Sequence, residues 1–150
     1  MTAQQYTGEA VSLLSHLIAT PSVSRDERRA ADIMEEELTR CGFTPHREAN
    51  NVWAIGPCQR EDRSTLLLNA HIDTVKPVAS YTRNPYEPSL EDGTLYGLGS
   101  NDCGGGLVSL LQVFRELSAS ERCPYNLVYL ASAEEEVSGK DGISRALPLL

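Results

Sequence analysis

Three groups of polar residues in this sequence have types and spacings that suit metal chemistry. They are His71 with Asp73, the single Asp102, and the consecutive Glu134–Glu136. Imidazole and carboxylate together form the mixed nitrogen and oxygen ligand set that suits zinc or a similar divalent ion. A two-metal site also needs a carboxylate that bridges the ions and a separate base that activates water. The three groups therefore indicate a metallohydrolase, in which Asp102 can bridge and one glutamate can be the base.

Each group taken alone has a simpler interpretation. His71 and Asp73 would merely cap a strand in solvent, Asp102 would cap the helix that follows it, and the glutamates would form a solvated acidic turn. A nucleotide site is disfavoured, because Asp102 stands where a dinucleotide fingerprint needs glycine and no P-loop lysine follows. The combination of the three groups favours the metal site.

Three other residues of interest are expected to have no part in the chemistry. His16 lies beside the apolar stripe of the first helix, and His46 has no carboxylate at ligand spacing. Cys103 has no histidine at a useful local spacing, so we interpret it as a small loop residue rather than a nucleophile.

Apolar periodicity predicts the helices that position these groups. Residues 5–19 repeat apolar side chains at three- and four-residue spacing and end before Pro21, which predicts an amphipathic helix. Ser24 and Glu27 have the spacing of a capping box for a second helix, which Gly42 would terminate. A third helix follows the glycines at 104–106, and a fourth is expected from Ile143 to Leu150.

Short apolar runs predict the strands. Residues 65–70 and 126–131 are continuous apolar runs, as expected for parallel strands covered on both faces. Residues 43–47 form a short extended segment, and 51–56 a better one with alternating side chains. Alternation of strands with helices predicts an α/β fold with a mostly parallel sheet flanked by helices. Ligands bind beyond the carboxyl ends of such strands, where His71, Asp73 and the glutamates lie.

Composition limits the classes of protein. Of 150 residues, 41% are hydrophobic and 23% charged, which is typical of a globular protein. The net charge of −8 disfavours nucleic acids and anionic membranes as partners. The four cysteines form no C-x-x-C pair, and we expect neither a secretory leader nor a membrane span, so a cytoplasmic location is predicted.

The three groups lie within longer motifs that resemble one known family. The motifs are Asn69-Ala70-His71-Ile72-Asp73-Thr74-Val75, Gly97-Leu98-Gly99-Ser100-Asn101-Asp102 and Ala131-Ser132-Ala133-Glu134-Glu135-Glu136. In this order they resemble the zinc-dependent peptidases and amidohydrolases that include carboxypeptidase G, succinyl-diaminopimelate desuccinylase and acetylornithine deacetylase. The stretch from His71 to Gly142 resembles the acetylornithine deacetylases most.

The resemblance implies a role for each candidate residue. His71 would bind one zinc ion, Asp102 would bridge two, and Glu136 would bind the other, with cobalt as a substitute metal. Glu135 would be the general base that takes a proton from the attacking water and passes it to the leaving amine, and Asp73 would support His71.

The sequence departs from the family pattern in several places. Glu134 stands where relatives often have aspartate, Cys103 occupies a variable position, and Gly104 and Gly105 replace a frequent lysine. Family members also have a further acidic ligand, a late histidine and a dimerisation domain, all beyond the equivalent of Leu150. Residues 1–150 are therefore expected to be the N-terminal part of a metallohydrolase catalytic domain and to be inactive alone.

The resemblance also implies an activity for the full-length protein. The expected reaction is metal-dependent hydrolysis of the amide bond of an N-acyl amino acid, with N-acetylornithine of arginine biosynthesis as the first substrate and a homodimer as the expected assembly. A desuccinylase or dipeptidase on the same metal site is the alternative enzyme. From a different class, the chain would be a non-catalytic folding unit or partner-binding remnant.

Overall fold

A four-stranded sheet forms the centre of the computed structural model, which describes residues 1–150. Its spatial order is β1, β2, β6, β3, so that β6 is central and β3 lies at one edge. Strands β4 and β5 form a separate hairpin that turns at Asp92-Gly93. The strands are β1 Pro45–Glu48, β2 Asn51–Ile55, β3 Thr65–His71, β4 Ser89–Glu91, β5 Thr94–Tyr96 and β6 Asn126–Ser132.

The α/β fold is confirmed, but the sheet is mixed rather than mostly parallel. Only β3 and β6 are parallel, with Thr65 paired to Asn126 and His71 paired to Ser132. β1 pairs antiparallel with β2, and β2 pairs antiparallel with β6. The reason is the connection: a helix joins the parallel strands, whereas Ala49-Asn50 alone joins β1 to β2, and a two-residue loop makes a hairpin.

Three helices cover one face of the sheet: α1 Ala3–Ile18, α2 Arg28–Arg40 and α3 Gly105–Ser118. Their apolar stripes pack with alternate residues of the strands, including Val52 and Tyr129, in a core cluster of 19 buried residues. Trp53 and Leu130 point to the opposite face, where a cluster of four buried residues includes Ala146. No helix of the structure is both long and apolar enough to span a membrane.

The start of α2 differs from the prediction. Ser24 and Glu27 form no capping box: Glu27 precedes the helix without a side-chain capping bond, and the Ser24 hydroxyl donates to Asp73 Oδ2 at 2.7 Å. The end of the helix is as predicted, because Gly42 has a φ of +87° and Phe43 N–H donates to the Leu38 carbonyl. Two residues expected to stabilise a helix instead face the candidate site.

Two further expectations need correction. All of β6 is buried, but most of β3 is only half-buried because it lies at the sheet edge. The last helix is shorter than the expected Ile143 to Leu150: α4 covers only Ile143–Ala146, and a 3-10 turn at Leu147–Leu149 contains Pro148. Proline lacks the N–H that a regular helix needs.

Candidate metal centre

The predicted site residues meet where β3 and β6 end. These strands are parallel neighbours, so His71 at the end of β3 lies beside Ser132 at the end of β6. The chain then turns through Glu134–Glu136 on one side and reaches Asp102 from the loop before α3 on the other. The parallel pair therefore places the three polar groups at one edge of the sheet, as ligand sites in α/β folds require.

His71 is oriented by its Nδ1 atom. The side chain is only 8% exposed, and Nδ1 lies 2.9 Å from the Asp73 carbonyl oxygen, to which it donates as Nδ1–H. Nε2 lies 3.1 Å from Asp102 Oδ1 and 3.7 Å from Glu135 Oε2, and in the neutral ring with this tautomer it has the lone pair that a metal ion needs. The ring thus presents a ligand atom to two carboxylates, an arrangement typical of metal-binding histidines.

The charge around His71 favours a cation. Hydrogen bonding to the Asp73 side chain outweighs the effect of burial, and with a contribution from Asp102 it raises the pKa of His71 to about 10. The surrounding carboxylates therefore stabilise positive charge at this place, whether it is carried by a proton or by a metal ion.

Asp73 supports more of the site than the expected role toward His71. It is 1% exposed, and it accepts the Ser24 hydroxyl and the backbone N–H groups of Glu135 and Glu136, the last two each at 3.1 Å. Burial opposes its ionisation, but His71, Ser24 and these amides outweigh burial and hold the pKa of Asp73 below its usual value. A single carboxylate thus connects the histidine with the glutamate turn.

Asp102 lies in an irregular turn rather than at the cap of a helix. The turn spans Ser100–Gly104, the φ and ψ angles of Asp102 are not helical, and α3 begins without any side-chain capping bond. The Asp102 side chain is 78% exposed although its Oδ1 approaches His71. The simple interpretation of Asp102 as a helix cap is therefore wrong.

The three consecutive glutamates have three different environments. Glu134 is buried, has a φ of +53°, and lies so close to Gly139 that a Cβ there would overlap its carboxylate. Glu135 is 58% exposed and faces His71. Glu136 is half-buried, and partial burial and the negative charge of Asp102 raise its pKa. The triplet is therefore not a uniformly solvated acidic turn.

The donor set fits a divalent ion. Two ligand atoms that each lie about 2.1 Å from one tetrahedral zinc ion are about 3.4 Å apart, and His71 Nε2 and Asp102 Oδ1 are separated by a comparable 3.1 Å. Donor atoms of His71, Asp102 and Cys103 lie within 4.8 Å of one another, whereas Glu135 and Glu136 are not in this group. The sequence alone favours a small loop residue at Cys103. Only its position next to Asp102 indicated that its thiol would lie near the candidate metal ligands.

Sequence reasoning missed the buried polar residues that support the site. Ser24, Glu27 and Asn51 contact the backbone or side chains of the site, and Glu27 and Asn51 have no exposed surface. The signal for Ser24 and Glu27 was present, but their spacing fitted a capping box. By contrast, His16 and His46 are exposed, as expected.

The fold and the donor set are those of an α/β protein with a candidate metal centre at its strand ends, and comparisons specify the family. Residues 67–148 match the model of peptidase family M20/M25/M40. The chain belongs to this family.

Curated relatives have the name succinyl-diaminopimelate desuccinylase. The chain is 31% identical over 144 residues to the enzyme of Variovorax paradoxus and 30% identical over 149 residues to that of a Caulobacter species. These alignments cover 88% and 95% of the chain but 37% of each relative. The chain thus spans less than two fifths of their length.

Solved structures share the fold. A metallo-carboxypeptidase of the M20 family from Sulfolobus solfataricus gives a TM-score of 0.71 at 21% identity, over 91% of this chain and 32% of that one. A dinuclear metal-binding peptidase of the M20 family from Bacillus subtilis gives a TM-score of 0.70 at 18% identity, over 97% and 40%. At these identities the likeness shows the α/β architecture.

Proposed function

We propose that this chain is the N-terminal part of a two-metal catalytic domain that hydrolyses the amide bond of N-acyl amino acids. The observation that carries the proposal is the convergence of His71, Asp102 and the glutamate turn at the ends of two parallel strands. Family membership and the ligand chemistry of these groups support it.

Zinc is the metal that we propose, with cobalt as its substitute. His71 would hold one ion through Nε2, Asp102 would bridge two ions, and Glu136 would hold the second. When bound, such ions polarise the amide carbonyl and lower the pKa of water. These three residues leave each ion at least one protein ligand short of the three that catalytic zinc typically has, and the remaining ligands would come from elsewhere in a full-length protein.

Glu135 is the proposed general base. It is exposed enough to meet substrate, and its Oε2 lies 3.7 Å from His71 Nε2, so its carboxylate is beside the proposed metal position. Glu135 would accept a proton from the attacking water and deliver it to the leaving amine. Asp73 would position His71 and, through the two backbone amides, Glu135 and Glu136.

Two acyl groups are the first to test. The motifs between His71 and Gly142 resemble those of acetylornithine deacetylases, which favours N-acetylornithine. The curated relatives at about 30% identity are desuccinylases, which favours N-succinyl-diaminopimelate as the second candidate. Short peptides complete the substrate panel, because the matching model is that of a peptidase family. The cytoplasmic location and the homodimer stay predictions.

The test is hydrolysis by the full-length gene product with Zn²⁺, measured as amine released from each substrate. We expect metal-dependent turnover of one acyl amino acid and a loss of at least about 100-fold in kcat for Glu135→Gln, because a positioned base contributes about 10²- to 10⁴-fold. Glu121→Gln, an exposed glutamate before β6, is the matched control. Undiminished turnover by Glu135→Gln would show that Glu135 is not the base.

A further inference from the structure

Four consecutive backbone N–H groups after β6 are each accepted by a buried side chain. Asn51 Oδ1 accepts the amide of Ala133 at 3.0 Å, and Glu27 Oε1 accepts the amide of Glu134 at 3.3 Å. The two oxygens of Asp73 accept the next two amides, of Glu135 and Glu136. The three accepting residues come from separate parts of the chain, and we call them the amide clamp.

The backbone in this segment needs such acceptors. β6 ends at Ser132, and Glu134 has a left-handed conformation with φ +53° and ψ +26°, so neither a sheet ladder nor a helix provides partners for these amides. A buried N–H group without an acceptor costs about 1–3 kcal/mol. The clamp therefore fixes a conformation that the segment would not adopt by itself.

Glu27 is held in place by more than its contact with Glu134. Its carboxylate also accepts the backbone N–H of Arg25 at 2.5 Å and the Asn50 side-chain amide at 3.0 Å. Asn50 is in turn held by the Arg47 guanidinium at 3.0 Å. Glu27 is therefore a buried carboxylate with three donors, which gives it a defined position before it contacts the glutamate turn.

Asn51 connects the turn to two other segments. Its Nδ2 donates to the carbonyl of Asp141 at 2.7 Å and to that of Glu48 at 3.1 Å, while its Oδ1 receives Ala133. The start of β2, the end of β1 and the loop before α4 are thus joined to the same four-residue segment.

We propose that Glu27 and Asn51 are positioning residues that orient the carboxylates of Glu135 and Glu136 toward His71 and Asp102. This inference rests on the proposed function, since it gives these two residues a role in metal binding through the turn that they hold. Productive sites need ligands held within about 0.5 Å, and fixing four successive amides restricts the adjoining glutamates. The hydrogen bonds of Glu27 and Asn51 go to backbone groups and to Asn50 rather than to the donor atoms, so these two residues act through the backbone.

Glu27→Met tests the clamp, with Glu37→Met as the matched control. Oε1 of Glu27 accepts both the Arg25 and the Glu134 amides, so a glutamine could keep the contact with the turn, whereas methionine has a similar length and no acceptor oxygen. Glu37 lies on α2 with a side chain that is 11% exposed, and it pairs with Arg40, remote from the turn. Two readouts are needed: amide hydrogen exchange of residues 133–136 in the 150-residue chain, and the Co²⁺ dissociation constant of the full-length protein.

For Glu27→Met we expect exchange of the Glu134–Glu136 amides at least tenfold faster, with the β3 and β6 amides unchanged. We also expect Co²⁺ binding weakened by about 10- to 100-fold, as for other residues that orient metal ligands. Glu37→Met should change neither, and Asn51→Ala should reproduce both effects of Glu27→Met.

Unchanged exchange in residues 134–136, or an increase spread evenly over the sheet, would overturn the clamp. Faster exchange with unchanged Co²⁺ affinity would overturn the positioning role while leaving the proposed function intact. Failure of the wild-type protein to bind Co²⁺ would count against the proposed function and would also overturn the role of Glu27 and Asn51 in metal binding. The exchange result would still decide whether Glu27 holds the turn.

Discussion

At the residue scale, Asp73 is the link between the separate groups of the site. Its backbone carbonyl orients His71, and its carboxylate receives the Ser24 hydroxyl and two amides of the glutamate turn. The spacing of His71 and Asp73 predicts that these two residues contact each other. It contains no information on Glu135 and Glu136, which lie about 60 residues away. The structure therefore extends the contacts of Asp73 from His71 alone to Ser24 and the glutamate turn.

Asp73→Asn is expected to weaken metal binding strongly. An asparagine replaces one acceptor oxygen by an NH₂ group, which would face an amide N–H of the turn or the Ser24 hydroxyl. The expected loss is about 10- to 100-fold in the Zn²⁺ affinity of the full-length protein, measured by competition with a chelating dye. Asp62→Asn, at an exposed loop position, is the control and should bind as wild type. Equal Zn²⁺ affinities of the Asp73→Asn and Asp62→Asn variants would show that Asp73 does not support metal binding.

At the element scale, sequence patterns correctly predicted the helices and strands that depend on interactions between residues close in sequence. The periodicity of α1 and α3, the Gly42 end of α2 and the two apolar strands are all present in the structure. The predictions failed where a distant partner decides the outcome. Ser24 and Glu27 had the spacing of a helix cap, but Asp73 and Glu134 compete for them, and neither partner is visible from local sequence.

The loop before α3 shows a second limit of sequence reasoning. The family resemblance led us to expect a lysine where Gly104 and Gly105 stand, and the structure shows why Gly104 carries no side chain. A Cβ there would lie 2.6 Å from the Gly99 carbonyl oxygen and 2.5 Å from Leu14 Cδ1. The turn that carries Asp102 is therefore packed directly against α1.

Gly104→Ala is accordingly expected to destabilise the chain. The overlap with backbone cannot be relieved by a rotamer change, so the free energy of unfolding should fall by about 1–3 kcal/mol, as for other overpacked sites. Gly8→Ala is the control: Gly8 is exposed within α1 with nothing near its Cβ position, and alanine should raise stability there by about 0.5–1 kcal/mol. Urea unfolding measures both, and a Gly104→Ala chain as stable as wild type would contradict this packing.

At the scale of the whole molecule, the α/β fold and the meeting of the candidate residues at the strand ends could be predicted, whereas the mixed order of the sheet could not. The parallel pairing of β3 with β6 follows from the helix between them, but the position of β2 beside β6 depends on contacts between residues far apart in sequence. Part of the acidic surplus in the composition is concentrated at the candidate site. Five of the 21 acidic residues lie at the site: Asp73, Asp102 and Glu134–Glu136.

The most direct measurement of the central claim is calorimetric titration of Zn²⁺ into the full-length protein and, in parallel, into the 150-residue chain. We expect two tightly bound ions per full-length protein and weak binding or none by the chain alone, because each ion would lack at least one protein ligand. Two tight ions bound by the 150-residue chain, or none bound by the full-length protein, would contradict a two-metal site to which these residues contribute only part of the ligands.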